Sequence, residues 1–417
     1  MHKRTCLILL LSVIILFSYC SNDDNPVDSE TPEPGLPRLL TQAEIEIISA
    51  GENFGLKFFK EVVNQDENKN IFLSPLSVSM ALGMTLNGAN GQTEEDMKST
   101  LEFTGMSQEN INSAYKSLIE LLLNLDSKVI MELANSIWYR YDVQVLQDFI
   151  DVNRDYFDAE VRSIDFSAVD ALETINGWVY DETNGKIEDL IDQFPANIVM
   201  YLINAIYFKG TWKYQFDQAN TSSDIFRLSD GSEVSCQMMN LTGALNYTQN
   251  SLFQAVDLPY GVGNYFMTIL LPRDGVTTGD ILDQMNTSNW DSWINGFSEI
   301  NVDLSLPKFR VEYDLELSDV LSALGMGVAF QAGAADFTGI RPIEQGDLWI
   351  NRVLHKTFVE VNEEGTEAAA ATAVEIIERS GGTTPLDLKI DHPFIFAIRE
   401  NNSGTILFIG KIENPAE

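Results

Sequence analysis

The sequence predicts an α+β fold in which helices pack against largely antiparallel sheets. Helical periodicity is concentrated in the N-terminal half of the 417 residues, and apolar runs of strand type in the C-terminal half. Helices followed by strands, rather than alternating units, are typical of α+β domains. From about residue 40 onward no linker, repeat or low-complexity block divides the chain, so we expect one large domain.

Composition and charge exclude several classes of function. Hydrophobic residues make up 45% of the chain and charged residues 21%, which is the balance of a globular protein with a core. The 26 basic and 62 acidic residues give a net charge of −36. Such a surface repels phosphate backbones and anionic lipid heads, so no nucleic-acid binding and no polybasic membrane docking is expected.

Few residues are available for catalysis or metal binding. The chain has no CxxC pair and none of the HExxH, GxSxG, P-loop or EF-hand motifs. We therefore expect no metal, no cofactor, no catalytic residue and no enzyme. One enzymatic alternative stays open, an envelope hydrolase that uses Cys236 with His355 or His392, but we expect no such activity.

The N-terminus has the features of an export signal. Lys3 and Arg4 precede an apolar run over residues 7–17, which is too short to span a membrane permanently. Cys20 follows, and the next residues are polar, acidic and proline-containing. This segment resembles a bacterial lipoprotein leader. It predicts a signal peptide over residues 1–19, lipidation of Cys20 and a tether over residues 20–41, although an ordinary secretory leader is the alternative.

Periodicity places the main elements of the remaining chain, residues 42–417. Helices are predicted over residues 43–63, 76–86, 108–123 and 172–180. Strands are predicted over residues 129–139, 197–208, 265–271, 300–311, 349–361, 387–398 and 405–412.

Two polar residues fall inside predicted buried strands. Asn204 interrupts a run that is apolar on both faces, and His355 shares a face with Val353, Thr357 and Val359. An unpaired buried polar group costs about 1–3 kcal/mol, so each needs a partner. A neutral core histidine is the preferred interpretation of His355.

A long segment between two predicted strands is the strongest functional signal. Residues 362–382 exceed the usual length of a connection. Thr366 could cap a surface helix that ends at Gly381. The same residues alternate, however, with Thr366, Ala368, Ala370 and Thr372 on one side and the charge of Glu367 on the other, which suits a strand that slides between existing strands.

Several motifs of the chain resemble serpins, the large suicide inhibitors of proteases. The hinge of that family is similar to the run Glu363, Glu364, Gly365, Thr366, Glu367, Ala368, Ala369, Ala370, Ala371, Thr372 and Ala373. Further matches, in the family's order, are residues 70–77, 176–179, 183–187, 204–212, 306–309 and 391–394. The resemblance covers the chain from about residue 42 to its end.

The resemblance implies a mechanism and a set of site residues. In an inhibitory serpin the target protease attacks one bond of an exposed reactive-centre loop, and the cut loop inserts into the main sheet before the acyl-enzyme is hydrolysed. The resemblance places Ser74, Ser77, Asn204 and His355 in a polar cluster called the shutter. It places Trp212 at the breach, where insertion begins. Asn204 and His355 would then satisfy each other as buried polar groups.

The resemblance also places the reactive bond. Family spacing from Glu363 reaches Arg379-Ser380 sixteen residues on, and Arg379 suits a protease with an acidic specificity pocket. We therefore expect an inhibitor of trypsin-like serine proteases. Cleavage after Ile377 by an elastase-like enzyme, cleavage after Glu378, and arginine-directed cysteine proteases remain alternatives.

A non-inhibitory serpin that acts as a binding or structural module is the main rival function. We expect a monomer whose partner is the target protease and whose only contact with a membrane is a lipid anchor. The expected location is the bacterial envelope, either at the surface or, without lipidation, outside the cell.

Overall fold

Capping residues of the sequence set where the first helices begin. In the computed structural model, which describes residues 35–195, 197–366 and 384–417, Thr41 and Glu44 form a capping box. Ser74 caps the next helix, and Pro75 occupies its first turn. The helices are α1 (Gln42–Gln65), α2 (Pro75–Leu86), α3 (Gly91–Thr100), α4 (Gln108–Leu123), α5 (Gln147–Phe157), α6 (Ala171–Glu182), α7 (Thr278–Gln284), α8 (Thr287–Ile294) and α9 (Ser318–Leu321).

The strands form two sheets, and the α+β prediction is confirmed. The bounds are β1 (Ile71–Leu73), β2 (Val129–Arg140), β3 (Glu160–Ile164), β4 (Met200–Thr211), β5 (Ser222–Arg227), β6 (Glu233–Gln249), β7 (Phe253–Tyr260), β8 (Tyr265–Pro272), β9 (Ser298–Pro307), β10 (Phe309–Glu316), β11 (Leu354–Val361), β12 (Gly365–Thr366), β13 (Leu386–Lys389), β14 (Phe394–Glu400) and β15 (Ile406–Ile412). One sheet has the order β10-β11-β12-β4-β2-β3. The other has β1-β15-β14-β8-β7-β6-β9-β13, with β5 paired to β6.

Two apolar clusters position the functional region. The large core includes the inner residues of both sheets and α1, and α2 contacts both β4 and β15. A second cluster packs α6 and the segment after it against β2 and β4, through residues that include Ile175, Val179, Ile187 and Ile191. The six-stranded sheet is therefore covered on both faces near β4.

Three predicted strands differ from the observed ones. The strand predicted over residues 300–311 is two strands, β9 and β10, which belong to different sheets and meet at Lys308. The strand predicted over residues 387–398 is likewise divided into β13 and β14, and β11 begins only at Leu354. An apolar run indicates that a segment is buried, but it does not indicate which sheet the segment joins. The boundary between two consecutive strands therefore cannot be located from the apolar pattern.

Candidate functional site

The centre of the six-stranded sheet is an unfinished position between β4 and β11. The short strand β12 occupies the start of this position, where Thr366 pairs with Val361 of β11 and with Gly210 of β4. Among the described residues, β4 otherwise pairs with β2, and β11 with β10. Beyond Thr366 the facing edges of β4 and β11 thus lack a strand between them in the described part of the chain.

Gly365 is at a position that only glycine fits. Its φ is +156°, and an added Cβ would lie 2.0 Å from the carbonyl oxygen of Gly210 and 2.9 Å from the Cα of Thr211. Both obstacles are backbone atoms that cannot turn aside. The close approach lets β12 enter between its neighbours.

Aromatic residues and backbone groups hold β12 in place at this breach. The Trp212 ring stacks on Tyr260 at 4.4 Å, and its Nε1–H donates to the Asn362 carbonyl at 2.9 Å. The hydroxyls of Tyr260 and Thr366 share a hydrogen bond of 2.5 Å. The Trp212 backbone N–H also donates to the Glu364 carbonyl at 2.9 Å. Thr366 therefore points toward the core.

Glu363 ties the start of the hinge to the rest of the fold. Its carboxylate accepts a hydrogen bond from Lys308 Nζ at 2.8 Å and one from the Thr221 hydroxyl at 2.8 Å, and the residue is 5% exposed. Burial pushes the pKa of this carboxyl upward, but the hydrogen bonds, that of Lys308 first, outweigh burial and hold the pKa below its usual value. The carboxylate is therefore ionised in the folded protein.

Glu363→Gln should lower the free energy of unfolding at pH 7 by about 1–3 kcal/mol, because it leaves the Lys308 ammonium without its carboxylate. A lowered carboxyl pKa contributes stability above the unfolded pKa, and this contribution is lost as pH falls through the folded pKa. The difference between the proteins should thus shrink on acidification. Thermal unfolding from pH 7 to pH 3 measures it, with the exposed Glu299→Gln as control. A difference that is independent of pH would contradict this assignment.

A cavity of about 580 Å³ lies along the unfinished position. Its lining includes residues 197–205 from β4 and the turn before it, residues 347–356 from β11 and the turn before it, and Ser77, Val78, Ala81 and Leu82 of α2. Asn204 Oδ1 is buried here without a hydrogen-bond partner among the described residues. A cavity edged by strands and a buried, unpaired carbonyl can accept an extended peptide segment.

Three of the four predicted shutter residues, Ser77, Asn204 and His355, line this cavity, and Ser74 contacts His355, but the pairing differs from the expectation. His355 Nε2 accepts a hydrogen bond from the Ser74 backbone N–H at 3.1 Å, and burial lowers the pKa of His355 to about 4. The Ser74 hydroxyl donates to the Leu407 carbonyl and accepts from the Ser77 N–H. The neutral core histidine is thus consistent with the geometry.

Asn204 has a different partner from the one expected. Its Nδ2 donates to Asn135 Oδ1 at 2.7 Å, and Asn135 in turn donates to the Phe157 carbonyl. Asn204 and His355 therefore do not satisfy each other, because β4 and β11 are separated at this level. The sequence gives no signal for Asn135, which pairs opposite Asn204 only once β2 and β4 are aligned.

The segment after α6 crosses the cavity and forms what we call the strap, residues 184–195. Asn176 of α6 holds the strap by two hydrogen bonds with the backbone of Ile191. On the other side Lys356 donates to the Glu188 carbonyl at 2.6 Å, and Arg352 donates to Asp192 and to the Gln193 carbonyl. The strap is thus attached to α6 and to the β11 border of the unfinished position.

Part of the predicted site lies outside the described residues. The hinge residues Glu367, Ala368, Ala369, Ala370 and Ala371, the reactive bond Arg379-Ser380 and the lipidation residue Cys20 belong to this part. Glu363, Gly365, Thr366 and Trp212 are brought together at the breach, and Ser74, Ser77, Asn204 and His355 around the cavity. Sequence reasoning did not identify Tyr260, Lys308 or Thr221, which are distant in sequence from the hinge.

The described residues bear on the alternative chemistry as well. Cys236 is a buried free cysteine, and burial raises the pKa of its thiol, which opposes formation of a thiolate. His355 bonds to Ser74, and His392 bonds to Asp391 and Pro272, so neither histidine has Cys236 as a partner.

Within the described ranges no group of three or more His, Cys, Asp or Glu residues could hold a metal ion. No described helix is long and apolar enough to cross a membrane.

Comparison with known proteins connects this geometry to one family. The family model described as Serpin (serine protease inhibitor) matches residues 49–415. Human neuroserpin is 34% identical over 360 residues, which cover 84% of this chain and 87% of neuroserpin. The native-state structure of tengpin, a thermophilic serpin, superposes with a TM-score of 0.82 at 30% identity and covers 92% of this chain and 97% of tengpin. Human thyroxine-binding globulin, solved in complex with thyroxine, gives a TM-score of 0.81 at 26% identity and covers 90% and 100% of the two chains.

Proposed function

The chain belongs to the serpin family, and from that premise we propose that it is an inhibitory serpin that traps trypsin-like proteases after cleavage at Arg379-Ser380. Serpins act on target proteases, so a protease partner in general follows from the family. The finer proposal rests mainly on one observation. The first hinge residues, Gly365 and Thr366, already occupy the start of an unfinished strand position.

The register of β12 predicts how the rest of the hinge would insert. Thr366 faces Val361 and Gly210, so Ala368 would face Val359 and Phe208 on the core side. Both of those neighbours are buried core residues. Small, uncharged side chains fit this face, because a bulky or charged side chain there would be buried against apolar neighbours.

The same register brings Thr372 to the shutter. Four further residues along β4 and β11 from the Ala368 level, Thr372 would stand between Asn204 and His355. Its hydroxyl would then be near the Asn204 carbonyl that is unpaired in the present structure. Insertion would thus give the buried Asn204 carbonyl a hydrogen-bond donor, and this would make the free energy of insertion more favourable.

The proposed bait is the bond after Arg379. A guanidinium binds a carboxylate at the base of a specificity pocket through two parallel hydrogen bonds, which selects trypsin-like enzymes. Sixteen residues inserted at the rise of a strand would carry the cut end by about 50 Å, together with the acyl-linked protease. Arginine-directed cysteine proteases, and elastase-like enzymes cutting after Ile377, are the alternative targets.

We further infer that the protein is exported and anchored through a lipid on Cys20. The support is the sequence of residues 1–37 alone, with its basic start, apolar run and polar, proline-containing continuation. A mass increase of acyl groups on the N-terminal peptide would support the anchor. A mature protein that begins elsewhere, with Cys20 removed or unmodified, would contradict it.

A binding or structural module is the second candidate, because one superposable serpin, thyroxine-binding globulin, was solved in complex with thyroxine. A serpin of this kind would have a loop that proteases cut without being trapped. The two candidates therefore differ in the fate of the protease.

Incubation of residues 21–417 with trypsin, followed by denaturing gels and mass spectrometry, tests the proposal. We expect a conjugate of the summed masses, with cleavage after Arg379 and loss of trypsin activity. We also expect the cleaved protein to unfold at a higher temperature, because an inserted loop completes the sheet. Complete cleavage with fully active trypsin and an unchanged unfolding temperature would reject inhibition and favour the binding or structural module.

A further inference from the structure

The connection between β13 and β14 is held by an unusual set of polar contacts. β13 is the first described strand after the loop, and it pairs only with β9 among the described strands. The connecting residues, Ile390 to Pro393, pass from the β9 edge to β14. The Ile390 N–H donates to the Ser305 carbonyl at 2.8 Å. This connection therefore fixes the C-terminal end of the loop region to the body of the protein.

Strand β5 binds the connection and the end of β13 through ion pairs. The Arg227 backbone N–H donates to the Asp391 carbonyl at 2.9 Å, and Arg227 Nη2 lies 3.2 Å from each carboxylate oxygen of Asp391. Lys389 of β13 forms a second ion pair with Asp224 of β5 at 2.8 Å. These two pairs join β5 to both ends of the segment that follows the loop.

His392 adds two further contacts, and the partners of its two ring nitrogens indicate its protonation state. Its Nδ1 lies 2.8 Å from Asp391 Oδ1, and its Nε2 lies 2.9 Å from the carbonyl oxygen of Pro272 at the end of β8. Both neighbours are hydrogen-bond acceptors. A neutral imidazole has a single N–H, so either tautomer would leave one ring lone pair facing an oxygen. Only the imidazolium, which has two N–H groups, satisfies both contacts.

The surrounding charges support an ionised carboxylate next to this ring. Burial raises the pKa of Asp391, but hydrogen bonds from His392 and Arg227 outweigh burial and lower that pKa overall. The charged groups that interact with Asp391 are Arg227 and Asp224 on β5 and Lys389 on β13. From β8 the ring faces the Pro272 carbonyl. The Asp391 carboxylate, 2.8 Å from Nδ1, is therefore the counter-ion nearest to the ring, and the Pro272 carbonyl dipole faces Nε2.

We propose that His392 is an imidazolium in the folded protein and acts as a proton-dependent positioning residue that clamps the β13–β14 connection to the ends of β5 and β8. The clamp holds β13 on β9. When the ring loses one proton, a bare ring nitrogen faces either the Asp391 carboxylate or the Pro272 carbonyl oxygen. One of the two hydrogen bonds is then lost, and the connection is held less tightly. The inference goes beyond the proposed function, since it requires no protease and no cleavage.

Histidine NMR tests the proton directly, because the chain has only three histidines. In the full chain labelled with ¹⁵N at histidine, His2→Gln and His392→Gln assign the signals. At pH 6.5 we expect both His392 nitrogens to carry protons, while His355 serves as an internal neutral reference. A His392 signal with one bare nitrogen under these conditions would overturn the proposal.

Amide hydrogen exchange in residues 386–390 tests the clamp. Removing one charge-assisted hydrogen bond should make these amides exchange about ten- to a hundredfold faster in His392→Gln at pH 6.5. In the wild type, exchange corrected for its intrinsic pH dependence should be faster at pH 9 than at pH 6.5, because a neutral ring has only one N–H for its two acceptors. His392→Arg, which keeps a cation at every pH, should abolish this pH dependence. Equal corrected exchange in the wild type and His392→Gln would reject the clamp without bearing on protease inhibition.

Discussion

Under the proposed inhibitory mechanism, Ala368→Glu should make the protein a substrate of trypsin that no longer traps the enzyme. If insertion continued the register of β12, residue 368 would enter the core face between Val359 and Phe208, which are 1% and 6% exposed. A carboxylate there would be desolvated without a partner, at a cost of several kcal/mol, and insertion would slow. Deacylation would then precede trapping. The ratio of cleaved serpin to conjugate on denaturing gels measures the effect, and we expect almost all of the variant to be cleaved.

Ala369→Glu is the matched control for this prediction. Continued to residue 369, the register would put that side chain on the opposite face, next to Phe358 and Tyr207. The Phe358 ring already has the Lys186 ammonium and the Arg310 guanidinium 5.0 Å from its centroid, so a carboxylate on this face would meet cations. Ala369→Glu should keep most of the conjugate. Equal loss in both variants would show that the alternation does not govern insertion, and equal retention would show that the hinge does not insert.

Arg379→Glu should abolish the conjugate with trypsin. The change replaces a guanidinium by a carboxylate that would face the acidic pocket of the protease, so we expect the association rate to fall about a hundredfold or more. Stopped assays of residual trypsin activity measure this rate. The protein should remain folded, and its unfolding temperature should match that of the parent, since the change alters only the bait.

Glu378→Gln is the control for the reactive bond. This variant changes a charge at the position next to Arg379 but keeps the arginine, so trypsin should still be trapped. Mass spectrometry of the fragments locates the cut in each variant. A conjugate of Arg379→Glu with trypsin at the parental rate would place the reactive bond elsewhere, and the fragment masses would identify it.

Local sequence patterns were sufficient for the elements with regular periodicity. The helices predicted over residues 43–63 and 76–86 correspond to α1 and α2, and the capping box of Thr41 and Glu44 and the Ser74 cap in the structure account for where they begin. The alternating burial of β11 around His355 follows its sequence pattern. These features depend on residues a few positions apart, so the chain encodes them locally.

The hinge was predicted by resemblance to serpins, and the structure supplies the physical reason for Gly365. The requirement arises from the backbone of Gly210 and Thr211, about 150 positions away, which leaves no room for a Cβ. From the sequence alone, only the resemblance to serpins indicated that a glycine is needed at this position. The clash that makes it necessary exists only after β12 has entered between β4 and β11.

Pairing between distant residues was decided only by the tertiary structure. Lys308 and Glu363, Asn204 and Asn135, and His392 and the Pro272 carbonyl each meet because separate segments are aligned in space. The sequence thus determined the α+β class, the family resemblance and the polar residues that need partners. Which partner each one takes, and that β4 and β11 stand apart around a cavity, depends on long-range strand order, because hydrogen bonding and burial are satisfied between chain segments rather than along one segment.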